Sequence, residues 1–156
     1  MSRPRILRSR WQPGPQGHFP AGPAVVSFTD FTADTFRQSW SVALAGLRLR
    51  GTWPDTPGAI GMWLWADPMR RRSGSVSVWA DAAGLKEFVG RPDHVRIVRA
   101  HRGRGVLRSA DWETERFDAA EAWAYARHLI SNGACRRTRP IGHVPDRNSE
   151  AGGHRT

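Results

Sequence analysis

Ile60-Gly61-Met62-Trp63-Leu64-Trp65 opens a stretch, residues 60–117, that reads strand, hairpin turn, strand, helix, strand. An antiparallel strand on a half-solvated sheet alternates apolar and polar side chains, because successive side chains point to opposite faces. Here Ile60, Met62 and Leu64 fall on one face and Trp63 and Trp65 on the other, so both faces need a cover. A chain of 156 residues has few helices to supply two. The second cover is expected to be another copy of the protein, a ligand-filled cavity, or both.

Downstream, Arg70-Arg71-Arg72-Ser73-Gly74 breaks the apolar pattern, and Ser75 to Ala80 then sets Val76, Val78 and Ala80 against Ser75, Ser77 and Trp79, a hairpin to a third strand. Asp81 is placed to cap a helix with Leu85, Phe88 and Val89 on one face, and Pro92 restarts it with Val95 and Val98. Gly103 and Gly105 end that segment. Val106 to Phe117 reads as a fourth strand, and Asp118 caps a closing helix carrying Ala119, Ala122, Trp123 and Ala126. Upstream, Ala24 to Phe31 has the β-branched and aromatic content of a first strand. Asp34 is placed to cap a helix in which Phe36, Trp40, Ala43, Leu44 and Leu47 recur at spacings of three and four and which ends near Gly51. Trp53-Pro54-Asp55-Thr56-Pro57-Gly58 is a turn cluster.

The order βαββαβ followed by a helix predicts an α+β, ferredoxin-like fold: a four-stranded antiparallel sheet, both main helices on one face, and an extra C-terminal helix. The domain is expected over residues 23–130. Residues 1–22 and 131–156 are rich in Arg, Pro and Gly without an apolar period and read as disordered basic tails. An open sheet face carrying Trp and Met would expose a patch of roughly several hundred Å², more than monomers ordinarily carry. Two sheets packed together as a two-fold homodimer would cover it.

Formal net charge is +10, and Lys86 is the one Lys among 24 basic residues. Much of that excess sits in the terminal segments, and no nucleic-acid motif accompanies it, so nucleic acid is not an expected partner. Arg96, Arg99, Arg102 and Arg104, with His101, form a positive stripe that reads as a solvated helix face. One cysteine, Cys135, excludes an intramolecular disulfide and a Cys-based zinc site within one chain. No metal site is expected. No run approaches the roughly 18 apolar residues of a membrane span, and the start of the chain lacks the apolar core of a signal peptide, so a cytoplasmic protein without a membrane partner is expected. The phosphate-binding Gly-Lys-Ser/Thr loop, His-Glu-x-x-His, Gly-x-Ser-x-Gly and the dinucleotide fingerprint are all missing.

On this segment order, Ser77-Val78-Trp79-Ala80-Asp81, then Leu85-Lys86-Glu87-Phe88, then Pro92-Asp93-His94 form a local signature. It resembles the dimeric α/β barrel superfamily, which includes the antibiotic-biosynthesis monooxygenase-like proteins. The resemblance covers Ala24 to Ile130. It implies a homodimer whose sheets form one barrel, and a small-molecule cavity between sheet and helices. The superfamily holds cofactor-free oxygenases, haem-degrading enzymes, haem peroxidases, isomerases and proteins without known chemistry, so fold does not set activity.

His94 ranks first among groups for chemistry, because it begins a helical segment over the sheet and an imidazole suits proton transfer. The plain alternative is a histidine that caps or packs. The cofactor-free oxygenases act on electron-rich polycyclic aromatics whose carbanion passes an electron to O₂, a task for aromatic walls, one base and an anion partner. By that resemblance Phe28, Trp40, Trp63, Trp65, Trp79 and Phe88 are expected as walls, His94 or Asp30 as base, and Arg91 or Arg96 as anion partner. The plain alternative makes the tryptophans core and interface. In the haem-degrading branch a helix His binds iron with an Asn on the first strand and a Trp on the third. Trp79 and His94 match two of these positions, but the first strand offers Ser27 and Thr29 in place of Asn, so no cofactor is expected and haem ranks behind it. The leading expectation is therefore a monooxygenase-like protein acting on a hydrophobic aromatic molecule. A non-catalytic dimeric binding or accessory protein comes second and a haem-binding protein third.

Overall fold

The computed structural model describes residues 5–17 and 22–132. Two short strands, β1 (Leu7–Arg8) and β2 (Gln12–Pro13), precede β3 (Ala24–Ala33), α1 (Phe36–Gly51), β4 (Ala59–Asp67), β5 (Arg72–Trp79), α2 (Ala82–Val89), α3 (Pro92–His101), β6 (Gly105–Thr114) and α4 (Ala119–Asn132). The four long strands lie in the order β4-β5-β3-β6, antiparallel throughout, with β1 and β2 paired to the outer edge of β4. This is the ferredoxin-like α+β topology. No helix among the described residues is long and apolar enough to cross a membrane.

Local chemistry sets the element ends, with two departures from the sequence reading. Asp81 caps α2 by accepting from the Gly84 amide at 2.8 Å, and Asp118 caps α4 through the Glu121 amide at 2.9 Å. At α1, however, the cap is Thr35 rather than Asp34. The Asp34 amide still donates to Arg104 O as the chain leaves the sheet, and Thr35, extended at φ −132°, presents its hydroxyl to the Gln38 amide. The second departure is at β5, which starts at Arg72, inside the segment read as a break. Arg71 takes a left-handed φ of 55° and turns the chain there.

The sheet is covered on both faces by its own chain. On one side Met62, Leu64, Trp79 and Val25 pack with Leu49, Trp53, Leu85 and Phe88 from the segments around α1 and α2. On the other, Val26, Phe28, Trp63, Trp65, Val76 and Val78 lie under Ala122, Ala126, Leu129 and Ile130 of α4. Ile6, Trp11, Phe117 and Trp123 close the rim of this second core. Residues 5–17, read from sequence as part of a tail, are therefore structural: the Ser9 amide donates to Leu64 O and the Gly14 amide to Ile60 O, while Trp11 sets its ring edge on Trp63 at 4.4 Å. Strands of two residues are too short to show a period. The second tail, from residue 133 onward, lies outside the described residues. With α4 in place, the Trp face gives no reason for a second copy.

Two face assignments change. An irregularity between Ala59 and Gly61 shifts the register, so Ile60 packs with the Trp63 side rather than with Met62 and Leu64. And α1 buries none of its residues completely: its apolar stripe points away from the sheet.

Candidate functional site

Asp30, expected as a base, lies on the α4 side of the sheet, and a guanidinium holds it. Arg72 donates from Nε to Oδ1 at 3.2 Å and from Nη2 to Oδ2 at 2.6 Å, and both Nη atoms also donate to Ile130 O at 3.1 Å. With its carboxylate 3% exposed and bound on both oxygens, Asp30 is an anchor for the end of α4, not a proton acceptor. Phe28 and Trp65 stack at 5.9 Å beside it, and the Trp65 indole donates to Thr29 O. Trp63 is enclosed by Trp11 and Trp123, with Arg8 over its ring. These three aromatics are core under α4 and wall no cavity with His94. Trp40 stands exposed on α1 and Arg96 exposed on α3, both outside the enclosed clusters.

The remaining candidates meet on the helix side. Trp79 is fully buried with its indole N–H on Ser77 Oγ at 3.0 Å, and Trp53, Trp79 and Phe88 form a mutual ring cluster with centroids 4.9–5.2 Å apart. The imidazole of His94 lies 5.0 Å from the Phe88 ring. Its Nδ1 is 3.2 Å from Val89 O; a carbonyl only accepts, so Nδ1 carries the proton and Nε2 keeps its lone pair. Burial lowers the His94 pKa from 6.5, opposed by the Val89 hydrogen bond and the Asp93 charge, which raise it. His94 is thus held neutral in one tautomer. Arg91 reaches over Phe88, donating to Thr56 Oγ1 at 3.3 Å and pairing with Asp93 at 3.2 Å.

Sequence reasoning missed three features here. Trp53, taken for a turn residue, is central to the aromatic cluster, and its Nε1–H is buried without a hydrogen-bond partner. Over β3, β5 and β6 the helix-facing surface carries hydroxyls: Ser27 donates to Asp111 Oδ1 at 2.7 Å, and Thr29 and Ser75 share a hydrogen bond at 2.9 Å. Asp111 itself is exposed. The alternation of Ser27 and Thr29 with Val26 and Phe28 was the available signal for this polar floor. Third, α3 rests on α1 and α2 and buries none of its residues completely, which leaves Thr29 and Ser109 half-exposed on that floor.

Among the described residues no group of three His, Cys, Asp or Glu side chains could hold a metal ion. Haem does not fit the residues that the sequence matched to it. Trp79 is sealed inside the Trp53–Phe88 cluster rather than facing an open slot, and Ser27, at the position of the strand ligand, is committed to Asp111.

No family model matches the chain, and no curated protein matches it. Solved structures do. Protein SO0527 from Shewanella oneidensis superposes with a TM-score of 0.51 at 14% identity, over 60% of this chain and 92% of that one. An uncharacterized ferredoxin-fold protein related to antibiotic biosynthesis monooxygenases, from Listeria monocytogenes, gives 0.50 at 14% identity, over 60% of this chain and 57% of that one. SnoaB, a cofactor-independent oxygenase from Streptomyces nogalater, superposes at 0.46 and 18% identity in a mutant form, over 62% of this chain and 96% of that one, a likeness too loose to argue from. The chain spans 47% of the length of a further match from Lactobacillus acidophilus. At such identities the likeness is one of architecture: this is a ferredoxin-like α+β protein, similar in fold to proteins related to the antibiotic-biosynthesis monooxygenases.

Proposed function

We propose that the protein binds a hydrophobic, aromatic small molecule between the sheet and α3 and oxidises it with O₂ without a cofactor, as a monooxygenase-like enzyme with His94 as base. The observation that carries this reading is a neutral, tautomer-fixed His94 beside an aromatic cluster whose Trp53 Nε1–H is a buried donor lacking an acceptor. The half-exposed Thr29 and Ser109 hydroxyls would orient the substrate's oxygens.

The chemistry follows from the base. His94 Nε2 takes a proton from an acidic C–H₂ conjugated through aromatic rings to a carbonyl, and the carbanion gives one electron to O₂. The radical pair joins through a C–O bond, and the proton returns from His94 to give a hydroperoxide. Loss of water leaves a carbonyl, so CH₂ and O₂ become C=O and H₂O. The fully buried state of Trp53 and Trp79 favours a second reading, in which the cluster is core and the protein binds its ligand without reaction.

Oxygen uptake with an anthrone, a tricyclic compound with such a C–H₂, separates the two. The expected result is catalysed uptake that falls by about a hundredfold in His94→Ala. Uptake unchanged by the substitution overturns the role of His94. A Soret band on adding haem, lost in the same variant, overturns the cofactor-free part.

A further inference from the structure

On α1, Phe36, Trp40, Leu44 and Leu47 are 58%, 70%, 51% and 55% exposed, one continuous apolar stripe on the outward side of a helix whose other side rests on the sheet. Spacings of four, four and three put all four on one arc. Polar residues on this arc are basic or neutral: Arg37 and Arg48 border it, and residues 36–51 contain no acidic residue at all. The Arg71 guanidinium covers the Phe36 ring at 5.7 Å, adding a cation at the helix start.

The cationic border continues on the neighbouring helix. α3 lies beside α1, joined by the Ser41 Oγ to His101 Nε2 contact at 3.3 Å, and its Arg96, Arg99, Arg102 and Arg104 neighbourhood is exposed on the same side of the sheet. We propose that this surface docks on an anionic lipid bilayer, with the α1 stripe seated in the headgroup–acyl boundary and the flanking arginines on lipid phosphates and carboxylates. A helix with Trp, Phe and Leu on one side and arginine at its border is built for that boundary.

Charge selects this occupant over a second copy. A two-fold pairing of α1 with its own image would bring Arg37 and Arg48 against Arg48 and Arg37 of the other chain, with no carboxylate on either helix to offset them. Shape selects it over a folded acidic protein. Four side chains each more than half exposed make a ridge, which a fluid bilayer accommodates without a matching slot. Docking through this surface requires no reaction at His94.

The test is sedimentation of the intact protein with vesicles of phosphatidylserine and phosphatidylcholine in equal parts, against phosphatidylcholine alone. Binding is expected to the mixed vesicles, weakening steeply with salt, and the Trp40→Glu/Leu44→Glu variant is expected to bind at least about tenfold more weakly with an unchanged unfolding curve. Bromine-labelled lipid is expected to quench the intact protein more than Trp40→Phe. A protein that stays in the supernatant, binds neutral vesicles equally well, or binds unchanged with both glutamates overturns the proposal. In the first of these cases the stripe belongs to a protein partner.

Discussion

The guanidinium of Arg72 touches the buried Asp30 carboxylate and the Ile130 carbonyl together, so one side chain ties the middle of the sheet to the last turn of α4. Removing it strands a charge with no water to take its place. Arg72→Ala is expected to cost about 3–5 kcal/mol, read from urea unfolding, because breaking a buried pair costs far more than the pair contributes. His94 gives a second prediction at this scale. Its pKa is lowered on folding, so as pH falls below 6.5 the unfolded chain takes the proton first, and stability, constant above that value, declines until the lowered folded pKa is passed. Unfolding curves across that range should show the decline in the wild type and a smaller one in His94→Phe. Sequence ranked His94 first because its place at a helix start was legible. The role of Asp30 was not, since its partner lies 42 residues away on a strand whose beginning had been read as a turn.

Among elements, the strands and helices of residues 24–132 followed from periodicity and capping, and the misreadings share a cause. A period of 3.6 says that a helix has an apolar side; it does not say that this side meets the sheet. α1 turns its apolar stripe outward and seats Gly46 against Leu64 instead, so Trp40 could not be a cavity wall. For β1 and β2 the opposite holds: too few residues to carry a pattern, yet fixed by contact with β4. Gly61 records that contact, because a Cβ there would run into the Trp11 ring. Gly61→Ala is expected to lift the N-terminal segment off β4, seen as faster tryptic cleavage at Arg8 and Arg10 with the rest of the domain still folded. On the same face, Leu129→Ala should cost about 2–5 kcal/mol in thermal or urea unfolding, as a buried leucine deleted from a packed core.

For the whole molecule, the doubly apolar β4 predicted two covers, and two are present, but the second comes from the chain's own ends. Sequence alone could not weigh α4 against another copy, because Ala119, Ala122, Trp123 and Ala126 fit either a helix on the sheet or one standing beside it. Removing α4 should recreate the open face. A chain shortened to end at Asp118 is expected to show at least about twice the mass of the intact protein relative to its length in light scattering, since Trp63 and Trp65 would then lie uncovered. Equal association of both chains would mean that α4 is not the cover.

Arg8 is held between the rings of Trp63 and Trp123, at 5.3 and 4.7 Å, and Trp11 stacks on Phe117. During synthesis Arg8 and Trp11 can meet Trp63 early, but their other partners, Trp123 and Phe117, lie more than a hundred positions further along, so the cage around them is complete only once α4 has left the ribosome. Until then the tryptophan face of the nascent sheet has only the N-terminal segment against it, and α4 closes the clasp over Trp63 and Arg8 after every strand of the sheet has been made.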